Sequence, residues 1–219
     1  MARIAQVSNA DGKGWLLVKH ESPKDPNRPT FPPLPQHLKV SVSKVENGRE
    51  YFRILEGRLS GTTASVKLAA GNKSYLIDLT PHTGPAYVRF NRKKNELRYG
   101  WLCGGVQLGW LGFICGAIEA ITDDNSPVPI GIWNLEIPYE VHNIASVYES
   151  HSPFAATWFR IASESKDRVT DRFLHPGNVT LGCVTVKTLS AWTNIYNYLI
   201  KSRKGDGKNV GIIEVFEEE

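Results

Sequence analysis

DRFLHPGNVTLGCVTV, residues Asp171 to Val186, places a histidine, two glycines and a cysteine inside nine residues (His175 to Cys183) of a segment otherwise rich in β-forming side chains. Arg172 to Leu174 and Val184 to Val186 read as two short strands, so the loop between them brings His175 and Cys183 together, and Gly177 permits the turn after Pro176. A cysteine becomes a nucleophile when held as a thiolate, and a neighbouring imidazole is the usual means. Gly182 has no Cβ, which leaves room for a substrate carbonyl at the backbone, and the amides near Gly182 and Cys183 then serve as an oxyanion hole. One cysteine and one histidine fit equally well a buried thiol beside a turn histidine. The stretch alone leaves both readings open.

Downstream, KTLSAWTNIYNYLIKSR repeats apolar residues at three- and four-residue steps (Leu189, Trp192, Ile195, Tyr196, Leu199, Ile200) and predicts the one substantial helix. Thr188 or Ser190 is expected to cap its start, and Lys201, Arg203 and Lys204 suit its negative end. VGIIEVF then makes a final strand. Upstream, AYVRF, ELRYGWL, GIWNLEIP and ATWFRIA are strand candidates. The first third differs: after the proline-rich SPKDPNRPTFPPLPQ, the short β-type runs LKVSVSKV, REYFRILEG, ASVKLAA and SYLIDLT are separated by turn signals such as Asn47-Gly48 and Gly71-Asn72. A small all-β module over residues 1–83 and a second domain over residues 84–219 are expected, joined at TPHTGP (Thr80 to Pro85).

Composition narrows the function classes. The chain of 219 residues is 41% apolar and 22% charged, with a formal charge of 26 − 22 = +4, which describes an ordinary folded protein. The densest basic run, Arg89 to Arg98, reads as two strands around an exposed Arg-Lys-Lys-Asn turn with no stacking aromatics around it, so nucleic acid is not an expected partner. Trp101 to Ile118 is long and apolar enough to propose a membrane helix, but five glycines in eighteen residues favour buried strands joined by tight turns. Cys103, Cys115 and Cys183 lack zinc-ligand spacing; at most Cys103 and Cys115 pair, and buried reduced thiols are the expected state of those two. No metal or cofactor is implied. The N-terminus shows no charged, apolar and small-residue succession of a secretory signal. The expectation is a protein cytoplasmic as made, with delivery to the periplasm requiring a route that does not read such signals.

The second part of the chain, residues 86 to 219, resembles the catalytic domain of L,D-transpeptidases, the cysteine enzymes that remodel bacterial peptidoglycan. The resemblance rests on His175, Gly177, Thr180, Gly182, Cys183 and Val184, on a proline-then-glycine strand entry at PVPIGIW (Pro127 to Trp133), and on the helix and last strand that follow the cysteine. It implies a mainly β fold, an L,D-transpeptidase-type β-sandwich with one helix in its C-terminal half. It also implies a Cys183 thioester on peptidoglycan stem peptides, with His175 as base. Thr185 stands where that family commonly has Arg or Asn, so substrate positioning at this motif residue is expected to differ. The short interval from histidine to cysteine looks like the compact versions found in bacterial antagonism toxins, which implies an immunity protein as a partner. The rival readings are a non-catalytic cell-wall or partner-binding module on the same fold and a membrane-active protein using residues 101–118. Among weaker candidates, His142 and His151 flank a loop, Tyr148 and Ser152 are possible groove residues, and Asp171 is placed to orient the imidazole. Trp133 and Trp158 read as core.

Overall fold

The computed structural model describes residues 2–21, 32–103, 110–113, 116–163 and 171–218. The protein is mainly β with one α-helix among the described residues. It divides into two compact units, one of residues 1–81 with 138–141 and the other of residues 82–137 with 142–219. Placement of the tetrapeptide Pro138–Val141 with the first unit carries no signal in the sequence pattern.

The first unit holds β1 (Arg3–Val7), β2 (Trp15–Leu16), β3 (Lys19–His20), β4 (Leu34–Pro35), β5 (Lys39–Glu46), β6 (Arg49–Ile54), β7 (Thr63–Lys67) and β8 (Leu76–Asp78). Six of them form one sheet in the order β3-β7-β6-β5-β1-β8, while β2 and β4 pair separately. The β5–β6 hairpin turns at Asn47 and Gly48, both left-handed with φ 51° and 69°, which is the geometry that Asn-Gly favours in two-residue hairpin loops. Along β5 and β6, Val40, Val42, Phe52 and Ile54 alternate inward onto Ala5, Ala64 and Leu76, all buried. Period-two patterning therefore sets the register here.

The second unit contains β9 (Ala86–Asn91), β10 (Glu96–Cys103), β11 (Trp110–Phe113), β12 (Ile118–Ile121), β13 (Gly131–Glu136), β14 (Phe159–Ala162), β15 (Arg172–Pro176), β16 (Val184–Val186), α1 (Trp192–Ile200) and β17 (Asn209–Phe216). Its sheet runs β11-β10-β12-β16-β15-β14-β13-β17-β9, and β9 also pairs with β10, so eight strands close into a ring from which β11 projects. Two neighbours are parallel, β15–β16 and β17–β9. Parallel neighbours ordinarily need a crossover of a dozen residues or more. Between β15 and β16 only Gly177 to Cys183 intervene, and that suffices because three residue pairs are matched. The loop therefore runs back alongside the two strands, from the end where Gly177 meets Val186 to the end where Cys183 meets Phe173.

Within Trp101 to Ile118, the described residues form the antiparallel β10–β11 pair, from Gly100 opposite Phe113 to Cys103 opposite Trp110. Among the described residues no helix is long and apolar enough to cross a membrane. Cys115 and the side chain of Cys103 lie outside the described residues, and with them the expected bridge or buried thiols. The basic run forms the β9–β10 hairpin, with Asn95 left-handed at its turn. Its cations meet carboxylates: Arg89 with Glu214 at 2.8 Å, Arg92 with Glu217 at 2.6 Å, and Arg98 with Glu96.

Helix α1 buries Trp192, Ile195, Tyr196, Leu199 and Ile200 completely, each worth about 1.5–3 kcal/mol of transfer free energy. The helix is shorter than its apolar pattern, because Leu189–Ala191 forms a 3-10 turn ahead of it. The expected cap is corrected: α1 starts after Ala191, Ser190 lies inside the 3-10 turn, and Thr188 ahead of that turn makes no side-chain cap bond, so a tightened first turn stands in its place. Arg203 behaves as expected of a cation at the negative end, donating from Nη1 to the Ile200 carbonyl at 2.9 Å.

Candidate active site

The parallel ladder pairs His175 with Thr185 and leaves Cys183 two residues earlier, level with Phe173. The separation along the strand is about 7 Å at the usual rise per residue. The Phe173 backbone N–H donates to Cys183 Sγ at 3.4 Å. Both candidate side chains are buried, His175 with 5% and Cys183 with 8% of its surface exposed.

Each ring nitrogen of His175 has a partner. Nδ1 lies 3.0 Å from the Pro176 carbonyl oxygen and Nε2 3.1 Å from Thr185 Oγ1. A carbonyl only accepts, so Nδ1 carries the proton and Nε2 is left with a lone pair, which the Thr185 hydroxyl approaches as donor. Burial holds the imidazole neutral, pushing its pKa down to about 4; the Pro176 carbonyl opposes this shift and His142 adds a little to it. Burial likewise raises the Cys183 thiol above its ordinary value, against the smaller opposing effects of the Phe173 N–H and the Arg172 charge. The resting pair is therefore a neutral thiol and a neutral imidazole. Against the thiolate–imidazolium pair expected from sequence, burial disfavours both charges.

The loop between them is fixed by its own residues. Thr180 Oγ1 donates to the Cys183 carbonyl at 3.0 Å, and the Gly177 N–H donates to the Val186 carbonyl at 3.1 Å. A Cβ on Gly177 would stand 3.4 Å from Thr185 Cγ2 and 3.7 Å from His175 Cε1. Gly182 is left-handed with φ 92°. The room made by its missing Cβ holds the Arg172 guanidinium and the Ser126 carbonyl, where a substrate carbonyl had been expected to approach.

One wall of the site is aromatic. The Trp158 indole stacks on His175 with centroids 4.1 Å apart and on His142 at 4.1 Å, and Phe173 meets His142 edge-on at 4.8 Å. Sequence reasoning missed Trp158 as a site residue, because its strand-like run reads as core. His142 takes part in this stack, while His151 is exposed on the following turn. Tyr148 Oη accepts from the Asn178 N–H at 3.2 Å, so Tyr148 does flank the loop. Ser152 is buried and supports structure, accepting from the Phe154 N–H and from Thr193 Oγ1 at the start of α1. Asp171 is 97% exposed and faces Arg160 at 3.5 Å, which directs it away from the imidazole. Trp133 donates to the Pro129 carbonyl and is buried as expected. Among the described residues no group of three or more His, Cys, Asp or Glu side chains is arranged to hold a metal ion.

No protein-family model and no curated protein sequence matches the chain. Two solved structures are similar. One is an L,D-transpeptidase from Mycobacterium tuberculosis H37Rv, at 14% identity and a TM-score of 0.35, covering 83% of this chain and 91% of its own. The other is L,D-transpeptidase 3 from Mycobacterium tuberculosis in complex with a faropenem-derived adduct, at 13% identity and a TM-score of 0.33, covering 95% of this chain and 100% of its own. At such values the likeness says nothing of chemistry or substrate, which must be argued from the residues themselves.

Proposed function

We propose that the protein performs cysteine-dependent acyl transfer or hydrolysis on peptidoglycan stem peptides, through a thioester on Cys183 with His175 as base. The observation that carries the chemistry is the tautomer of His175. Its Nδ1–H is held by the Pro176 carbonyl at 3.0 Å, which leaves Nε2 basic on the strand adjoining Cys183. The substrate class comes from the Thr-x-Gly-Cys resemblance.

In the reaction, Nε2 gives up the Thr185 hydroxyl and takes the thiol proton as Sγ attacks the carbonyl carbon. The carbonyl electrons move to oxygen, and on collapse the amine leaves with the proton returned by His175. Water then releases a carboxylic acid, or an acceptor amine forms a new amide. A neutral imidazole suits this role, since it needs no preformed ion pair and remains unprotonated at neutral pH.

Incubation of the full chain with purified muropeptides, followed by mass analysis, tests this reading. Loss of a terminal residue or cross-linking in the wild type, absent from Cys183→Ser, is the expected result; unchanged muropeptides overturn it. The raised thiol pKa and the occupied Nε2 favour a second reading, a non-catalytic module that binds the same peptides. Binding without turnover, with an intact substrate recovered, is its signature.

A further inference from the structure

We propose that Arg172 is a positioning residue for Cys183, locking the Gly182 peptide so that the Cys183 N–H faces away from it while keeping a fixed positive charge on the peptide group that precedes the cysteine. The inference rests on the nucleophile reading of Cys183 and adds to it a residue from the neighbouring strand.

Arg172 opens β15. Its Nη1 donates both to the Ser126 carbonyl and to the Gly182 carbonyl, and its Nη2 donates to Ser126 Oγ at 2.9 Å. Ser126 is itself held, because its N–H and that of Asn125 donate to Asp123 Oδ1 at 3.1 and 2.8 Å. The guanidinium therefore ties the cysteine loop to an independently braced turn. Gly182 fits this arrangement alone: a Cβ there would lie 2.6 Å from the Ser126 oxygen and would overlap the guanidinium.

Peptide planarity carries the clamp onward. In a trans peptide the Gly182 C=O and the Cys183 N–H point in opposite directions, and no cis bond occurs among the described residues, the Gly182–Cys183 bond included. Fixing the carbonyl on Arg172 thus fixes the direction of the N–H. That N–H donates to no acceptor among the described residues, being outside the β15–β16 ladder. It is a donor set in place before charge develops on a substrate oxygen, which is where such donors contribute most. The permanent charge of arginine also opposes the desolvation that holds the thiol protonated.

The test uses the full chain and reads Cys183 alkylation by iodoacetamide from pH 6 to 10, alongside muropeptide turnover. Arg172→Met is expected to move the alkylation midpoint upward and slow the reaction about three- to tenfold at pH 8. Arg172→Lys keeps a charge but not the fork, so its midpoint should stay near wild type while turnover falls about tenfold or more with KM little changed. A wild-type midpoint in Arg172→Met, or wild-type turnover in Arg172→Lys, overturns the proposal. If Arg172→Met does not fold, by circular dichroism, the lysine variant decides by itself. Failure of the nucleophile reading looks different: wild-type protein leaves muropeptides unchanged, and the alkylation midpoints then decide whether Arg172 acts on the thiol.

Discussion

At His175 and Cys183 the competing effects are desolvation and hydrogen bonding, and desolvation wins at both. The depressed imidazole pKa has a consequence for stability. Above the unfolded value of 6.5 neither state is protonated at this residue. As pH falls below 6.5 the unfolded chain takes up a proton that the folded chain refuses, until the folded site titrates near 4. Stability should therefore decline between pH 6.5 and about 4, by at most about 3 kcal/mol at 1.36 kcal/mol per pKa unit. Urea unfolding across that range, in wild type and His175→Gln, checks this: the slope should be shallower in the variant. Cys183→Ala is expected to cost about 1–2 kcal/mol, more than a strand-end cysteine would suggest, because the sulfur is buried and the Phe173 N–H loses its acceptor. Cys183→Ser keeps an acceptor and is the better variant for activity. Gly182→Ala combines a left-handed backbone with displacement of Arg172, and a loss of about 2 kcal/mol or more is expected in the same assay.

At the scale of elements, the strands and the helix were largely legible and the site only in part. Alternation in β5, β6 and β9 and the three-to-four periodicity of α1 follow from which face each element buries, so composition reveals them. The parallel run of β15 and β16 was not legible, because a seven-residue return depends on strand length and on the closure of the whole ring. Trp158 was hidden for a related reason: an aromatic in a strand-like run has the same local pattern whether it faces the core or a pair of imidazoles. Arg172 lies on the same strand as His175, yet its partner Ser126 is 46 positions away and no spacing signals it. The aromatic wall makes its own prediction. Trp158→Ala should lower turnover on muropeptides at least tenfold by freeing the His175 ring, while Trp158→Phe, which retains a stacking face, should recover much of it. His151→Ala, on an exposed turn, should leave turnover unchanged.

At the scale of the molecule, the second unit depends on its two chain ends meeting. β17 lies between β13 and β9, with Gly211 opposite Ala86 in the parallel pair. The two strands approach so closely there that a Cβ on Gly211 would overlap the Ala86 backbone. Gly211→Ala should accordingly destabilise the second unit more than most single substitutions, by about 3 kcal/mol or more, measured by thermal unfolding. Limited proteolysis should cut near Leu79 to Pro81, ahead of the bonds that tie Thr83 to Lys201 and Arg203, and the fragment that begins at His82 should fold by itself. If the fragment is insoluble while the whole chain is not, the division into units does not extend to folding.

The same strand has a consequence for synthesis. Since β17 is the last strand of the second unit and lies between β13 and the unit's first strand, β9, the sheet cannot close until β17 has been made. Until then β9 and β13 each present an unsatisfied backbone edge, the form in which nascent β proteins most readily pair with the wrong neighbour. Emergence of β17 from the exit tunnel, rather than collapse of the apolar core, becomes the event that commits the second unit to its structure.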